Sequence, residues 1–222
     1  VMTKSLRMLF LMTIISLTGV ETSLGDLKTD LSSIELRSMA FDSEAPLKKR
    51  WKALSLLAFT LKEKSIPDLT RALKDKTWYM RNAGLEAMMS VDPDRGLTWA
   101  QSLLNGPALV VRTSAVKMIK HRGTSAHIRL LKKALNRKIN YRRGQSLWVR
   151  HHIVDAISHI GSEREISFFA SLLDDPDGRV KRSAISALEK LTEKAFGGPQ
   201  DTINVRAKLW KRWWRASGEA LN

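Results

Sequence analysis

The feature that most constrains this chain is a repeat. The pairs Met80-Arg81, Val111-Arg112, Val149-Arg150 and Val180-Lys181 each place an apolar residue before a base, at spacings of 31, 38 and 31 residues, and Lys49-Arg50 lies another 31 earlier with its apolar position lost. Three residues after each base stand Ala53, Gly84, Ala115, Ile153 and Ala184, and seven after stand Leu57, Met88, Ile119, Ile157 and Leu188. A second series keeps the same period upstream: Ile66, Leu69, Leu73; Leu97, Ala100, Leu104; Ile128, Leu131, Leu135; Ile166, Phe169, Leu173. Steps of three and four put each trio on one helical face. Turn residues separate the two series, as in Lys74-Asp75-Lys76, Asn105-Gly106-Pro107 and Asp174-Asp175-Pro176-Asp177-Gly178. Neither helix of such a pair can bury its apolar stripe alone, so neighbouring pairs must stack. The expected fold class is therefore all-α, a right-handed α-solenoid of about five stacked helix-turn-helix repeats. The first repeat is irregular: Ile34 and Phe41 fit the register only if its turn, Ser43 to Pro46, is one residue longer.

The spacing of 38 marks an insertion of seven residues between Leu135 and Val149, read as a basic inter-helix segment at 136–145. Lys132, Lys133, Arg137, Lys138, Arg142 and Arg143 crowd around it, with Tyr141 among them. Interleaved bases and a ring can neutralise phosphates and stack on a planar group, which makes this segment a candidate polyanion-binding loop.

The run Leu172 to Leu188, with the pattern L-x-D-x-x-x-x-V-R-x-x-A-x-x-A-L, resembles the short HEAT repeat of the phycobilisome-lyase type, and the likeness extends over about residues 47 to 192. The resemblance implies an all-α scaffold, usually for protein interaction. It also implies a structural ladder in which an Asp of each turn meets a base opening a second helix. The basic side is complete (Arg50, Arg81, Arg112, Arg150, Lys181), whereas the acid six residues before each base survives only as Asp75 and Asp175, with Gly106 and Gly144 elsewhere. The bases are read as structural rather than ligand-binding. The tail from Leu191 is similar to the closing segment of bacterial HEAT-repeat proteins, with a glycine-containing loop and a helix ending in Trp210, Trp213 and Trp214. Val205, Leu209 and Trp213 form one stripe and Trp210 with Trp214 a parallel one, and one of the two should cap the last repeat. The expected organisation is a signal peptide at 1–25, a solenoid at 26–195, and a loop with a capping helix at 196–222.

The signal peptide rests on Lys4 and Arg7 before the uncharged run Met8 to Val20, which at 1.5 Å per residue is too short for a hydrocarbon core of about 30 Å. Ser23 and Gly25 offer the best small-residue cleavage pair. An N-terminal solenoid helix or an uncleaved anchor are the alternatives. Export places the protein in a bacterial periplasm or outside the cell, with no transmembrane span in the mature form. The chain has a formal charge of +16, from 38 Lys and Arg against 22 Asp and Glu, and no cysteine. Thiolate metal sites and cysteine nucleophiles are thereby excluded, and an anionic partner is favoured.

No nucleophile elbow, phosphate-binding loop or His-Glu-x-x-His pair occurs in the sequence, so neither catalysis nor a cofactor is expected. His151, His152, Asp155 and His159 on one helix could hold a metal, but the apolar residues Val149, Ile153, Ala156, Ile157 and Ile160 claim the core, leaving the polar four on a solvated face and no metal expected. The same face displays Trp51, Asn82, Thr113, His151 and Arg182 one residue after each base, and Ser55, Glu86, Lys117, Asp155 and Ser186 five after. With His152, this mixed strip would line the concave side and suits a protein or peptide partner better than a uniform polyanion. The main expectation is a non-catalytic exported scaffold for protein interaction. The alternative is a polyanion-binding module for envelope glycolipid or another anionic polymer, with nucleic acid disfavoured by export. A third reading, by analogy with HEAT-like DNA glycosylases or bilin lyases, lacks its catalytic residues; Asp75 near Trp78 and Tyr79 comes closest.

Overall fold

The structure is a computed structural model that describes residues 32–219. The candidate signal peptide, 1–25, and the first residues of the expected solenoid, 26–31, lie outside the described residues. The chain divides into two compact units, Val1–Trp99 and Ala100–Asn222.

In the first unit, α1 (Ser33–Phe41), α2 (Leu47–Leu61), α3 (Ile66–Leu73) and α4 (Trp78–Val91) are followed by the opening turns of α5 (Pro93–Leu103). α1 packs on α2, α3 on α4, and α2 lies beside α4. The small residues of the repeat make this closeness possible: a Cβ added at Gly84 would stand 3.0 Å from the Leu73 nitrogen on α3. Leu57 and Met88, seven residues after their bases, are fully buried. The irregular first helix departs from expectation. A capping box, in which Ser32 accepts from the Glu35 N–H and Glu35 from the Ser32 N–H, starts α1 so that Leu36 and Ala40 face inward. Ile34 is left 75% exposed and is not a core residue, while Phe41 lies under the Arg71 guanidinium at 4.0 Å.

In the second unit, α6 (Leu109–Arg122), α8 (Val149–Ile160) and α10 (Gly178–Thr192) lie side by side, with α7 (Ile128–Leu135) against α8 and α9 (Ile166–Ser171) against α10. Ala115, Ile119, Ile153, Ile157, Ala184 and Leu188 are buried, as are Leu131, Leu135, Phe169 and Leu173 of the first helices.

The basic inter-helix insertion contains a short hairpin. Residues Lys138–Asn140 form a 3-10 turn that leads into a hairpin, β1 (Tyr141–Arg142) and β2 (Gln145–Ser146), with Tyr141 opposite Ser146 and Arg142 opposite Gln145. Arg143 and Gly144 close it at φ of 50° and 75°, the left-handed pair that matches the twist of a two-residue hairpin.

The closing helix, α11 (Ile203–Glu219), packs on α10, and of the two possible stripes it uses the one containing Trp210. Trp210 is fully buried, edge-on to Phe196 at 4.7 Å and to Trp213 at 5.2 Å, while Val205 is exposed and Leu209 only half-buried. The ion pair of Arg206 with Glu189 on α10 fixes the same face one turn earlier.

Candidate functional site

The ladder bases decide which cations are available for anything else. Arg50 reaches forward 25 residues to the Asp75 carboxylate at 3.3 Å and also donates to the Ala40 carbonyl. Asp75 uses its other oxygen to accept from the Thr77 N–H and hydroxyl, so one carboxylate caps its own turn and receives the preceding repeat's arginine. Burial alone would raise its pKa, but the Thr77 hydrogen bonds and the Arg50 charge outweigh that and hold it below the ordinary value. Asp75 is thus fully occupied by the turn and by Arg50. Arg81 donates to the Asp75 and Lys76 carbonyls of its own turn.

In the second unit Arg150 makes the same forward contact as a two-pronged pair with Asp175, at 3.1 and 2.6 Å, while Asp175 accepts from the Asp177 N–H. The rung before it lies where no acid exists in sequence. Arg112 donates to Gly106 and Pro107 of its own turn and reaches Asn140 Oδ1 at 2.9 Å and the Ile139 carbonyl at 2.9 Å, both supplied by the insertion. Lys181 closes the series on Asn204 Oδ1 of α11 at 2.7 Å. Neutral Asn side chains thus take the carboxylate's place at two rungs.

The expected binding face is set by the second helix of each repeat. In the first unit Trp51, Asn82 and Glu86 are half-buried, and Asn82 donates to Glu86 at 2.9 Å along α4. Leu47 and Trp78 begin α2 and α4 with exposed side chains, and Trp78 meets Tyr79 edge-on at 5.6 Å.

In the second unit Lys117, Arg182 and Ser186 are exposed, and Thr113 is buried. His151, His152 and Asp155 are half-buried rather than solvated, because α6 and α10 pack against both flanks of α8; Ile160 is only half-buried as well, and Val154 takes a core position. The His151 and His152 rings lie 4.2 Å apart, and burial lowers the pKa of both. His151 Nδ1 is buried without a hydrogen-bond partner. His159 points away, edge-on to His121 at 6.2 Å. Among the described residues no group of three or more His, Asp or Glu side chains converges on a position that could hold a metal.

The residue that sequence reasoning missed here is Trp148. It precedes α8, is 44% exposed, and donates from Nε1 to Thr113 Oγ1 at 2.9 Å; Val110, 38% exposed, stands at the equivalent offset on α6. Both lie two residues before their ladder base, so the period that located the core also carried this signal.

The basic segment separates into packed and free members. Lys132 pairs with Glu165 and lies over the Phe168 ring at 4.6 Å, and Tyr141 lies under the Arg150 guanidinium at 4.6 Å. Lys133, Arg137, Lys138, Arg142 and Arg143 are exposed, and none makes an ion pair among the described residues. No helix among the described residues is long and apolar enough to cross a membrane.

Compared with known families, residues 97–189 match the model for HEAT repeats, a stretch running from within α5 to within α10. The all-α, HEAT-type fold follows from this match together with the helix packing. No curated protein matches the chain.

Proposed function

We propose a non-catalytic scaffold, built of HEAT repeats, that docks another protein on the concave face formed by its second helices. HEAT repeats generally mediate protein interactions, and the observation that supports the reading is the exposure of two apolar residues, Trp148 and Val110, at the starts of the second helices α8 and α6. The same second helices carry the exposed cations Lys117 and Arg182 and the half-buried His151, His152 and Asp155. A tryptophan held by a hydrogen bond and exposed to solvent is the residue type most enriched at interface hot spots. Trp51, Asn82 and Glu86 present the corresponding face in the first unit. The likeness to the short, phycobilisome-lyase type of repeat belongs to this proposal and rests on the run Leu172 to Leu188. So does export to the periplasm or cell exterior, supported by Lys4, Arg7 and the apolar run Met8 to Val20.

A photoreactive side chain placed at Lys117 or Arg182 in the native host tests the docking. It should capture a partner that the same probe at Arg129, exposed on α7, does not. Trp148→Ala should weaken that capture by about 2 kcal/mol or more, roughly thirtyfold. Equal capture from both positions, or capture indifferent to Trp148→Ala, would count against the face. Export is tested separately by cell fractionation and by sequencing the mature N-terminus.

A further inference from the structure

We propose that the inserted hairpin is a fixed electropositive foot that docks the second unit onto an anionic lipid surface. It uses none of the residues assigned above to the protein-binding face.

The hairpin is held rather than loose. A two-residue ladder is marginal by itself, but here both of its ends are tied to buried arginines. Asn140, fully buried, accepts from Arg112, donates to the Ala134 carbonyl at 2.8 Å, and accepts through its own carbonyl from the Leu147 N–H at 3.0 Å. On the other side Arg150 donates to Ser146 Oγ at 3.1 Å while its guanidinium covers Tyr141. The backbone that carries the bases is thus already ordered and loses little freedom on meeting a charged surface, which lowers the entropic cost of contact.

What the foot presents is charge of one sign. From Ala100 to Val154 the second unit contains no Asp or Glu at all. Lys133, Arg137, Lys138, Arg142 and Arg143 are therefore exposed without a neighbouring acid in sequence to neutralise them, and a basic cluster of this size is what an anionic leaflet attracts. Two observations favour a lipid surface over a nucleic acid. The one ring in the segment, Tyr141, is already stacked on Arg150 and is not free to receive a base. The sequence also carries the basic-then-apolar run Lys4 to Val20, which directs a chain to a membrane; to this extent the choice of surface rests on the export reading. The tip, Arg142-Arg143-Gly144-Gln145, holds no apolar residue to insert, so contact is electrostatic and screened over about 8 Å at physiological salt.

The test is sedimentation of the full chain with phosphatidylcholine vesicles, with and without phosphatidylglycerol. Lys4, Arg7 and the apolar run are the same in parent and variants, so the readout is the change in preference for the anionic vesicles between them. Arg142→Gln with Arg143→Gln should reduce that preference about 25-fold, at roughly fivefold per base. Arg137→Gln with Lys138→Gln should do nearly the same, and rising salt should abolish it. These side chains are exposed and unpaired, so the melting temperature should stay unchanged. A preference that survives both double variants, or persists at high salt, overturns the proposal. So does a short DNA duplex bound more tightly than the anionic vesicles at the same salt and lost in the same variants. Neither result touches capture at Lys117, so failure here and failure of the scaffold reading are distinguishable.

Discussion

Asn140→Ala should be among the most damaging single substitutions in the second unit, although the residue is neutral and sits in an insertion. Its side chain is fully buried and makes two hydrogen bonds, accepting from Arg112 Nε at 2.9 Å and donating to the Ala134 carbonyl at 2.8 Å. A bond to a charged donor contributes about 1.5–3 kcal/mol and a neutral one about 1 kcal/mol, and alanine leaves both partners unsatisfied where water does not reach. Arg112 keeps the Gly106, Pro107 and Ile139 carbonyls, so the loss stays below that of breaking a buried ion pair outright. The sum is about 3 kcal/mol, or roughly 10 °C in melting temperature for a unit of this size. Thermal unfolding followed by circular dichroism measures it, and amide exchange should show the Leu147 N–H losing protection, since it donates to the Asn140 carbonyl. Asn140→Asp keeps the acceptor for Arg112 but loses the donor to Ala134, and should cost about half as much. A melting temperature within about 2 °C of the parent for the alanine variant would refute the reasoning. Equal damage from Asp and Ala would show that the bond to Ala134, not the one to Arg112, is what matters.

Two pH effects follow from the charged groups. Asp75 has a lowered pKa in the fold, so the folded state binds fewer protons than the unfolded one; its contribution is complete above the ordinary carboxylate value of about 4 and is lost as pH falls through the lower folded value. Denaturant titrations from neutral to acid pH should show that decline, and Asp75→Asn should flatten it; an unchanged slope would mean that the Thr77 hydrogen bonds and the Arg50 charge together do not favour the carboxylate in the fold. His151 and His152 also have lowered values. For His151 burial is the main cause, with Asp155 and Asp177 opposing it and Arg179 assisting; for His152 burial is joined by His151, Lys117 and Lys120 and opposed by Asp155. Protonating them therefore costs the folded state, and stability should fall as pH drops below about 6.5. His151→Gln with His152→Gln should remove part of that fall in the same titration, and NMR titration of the ring protons should find both midpoints below the ordinary one.

The helices and their buried faces were legible because burial in a stacked pair imposes a period, and Ile153, Leu131 and Phe169 could not leave it without exposing apolar area. The rung at Arg112 was not legible. Pairing by fixed offset points from Arg112 to position 137, which is itself an arginine, whereas the insertion moves the partner to Asn140 and changes its chemistry from a carboxylate to an amide. The hairpin was equally hidden, since Arg143-Gly144 is a weaker turn signal than Asn-Gly, and the ladder it closes is only two residues long. In α11 two apolar stripes run in parallel, and Phe196, a loop residue with no periodic signature, meets one ring of each, Trp210 at 4.7 Å and Trp213 at 6.0 Å, so neither stripe packs alone. The half-burial of His151 and His152 depends on how closely α6 and α10 approach α8, a distance that no single helix encodes.

An insertion of seven residues in a stacked repeat would ordinarily be expected to interrupt the stack, and its position explains why it does not. It enters at the turn between first and second helix, where the buried stripes of α7 and α8 are already complete on either side. The stack needs only an acceptor for Arg112 at that turn and a partner for Arg150 beyond it. The first is supplied by Asn140, before the hairpin departs, and the second by Asp175 of the following turn, with Ser146 adding a contact as the hairpin returns. The residues that meet the demands of the ladder therefore lie at the feet of the insertion, and those at its tip are released from any structural duty. The returning strand runs through Leu147 directly into Trp148, whose indole is fixed on Thr113 of α6. The same seven residues thus set the exposed cations on the turn edge and the position from which the exposed tryptophan meets the second-helix face. Two surfaces arise from one local change in length, with the repeat on either side left in register.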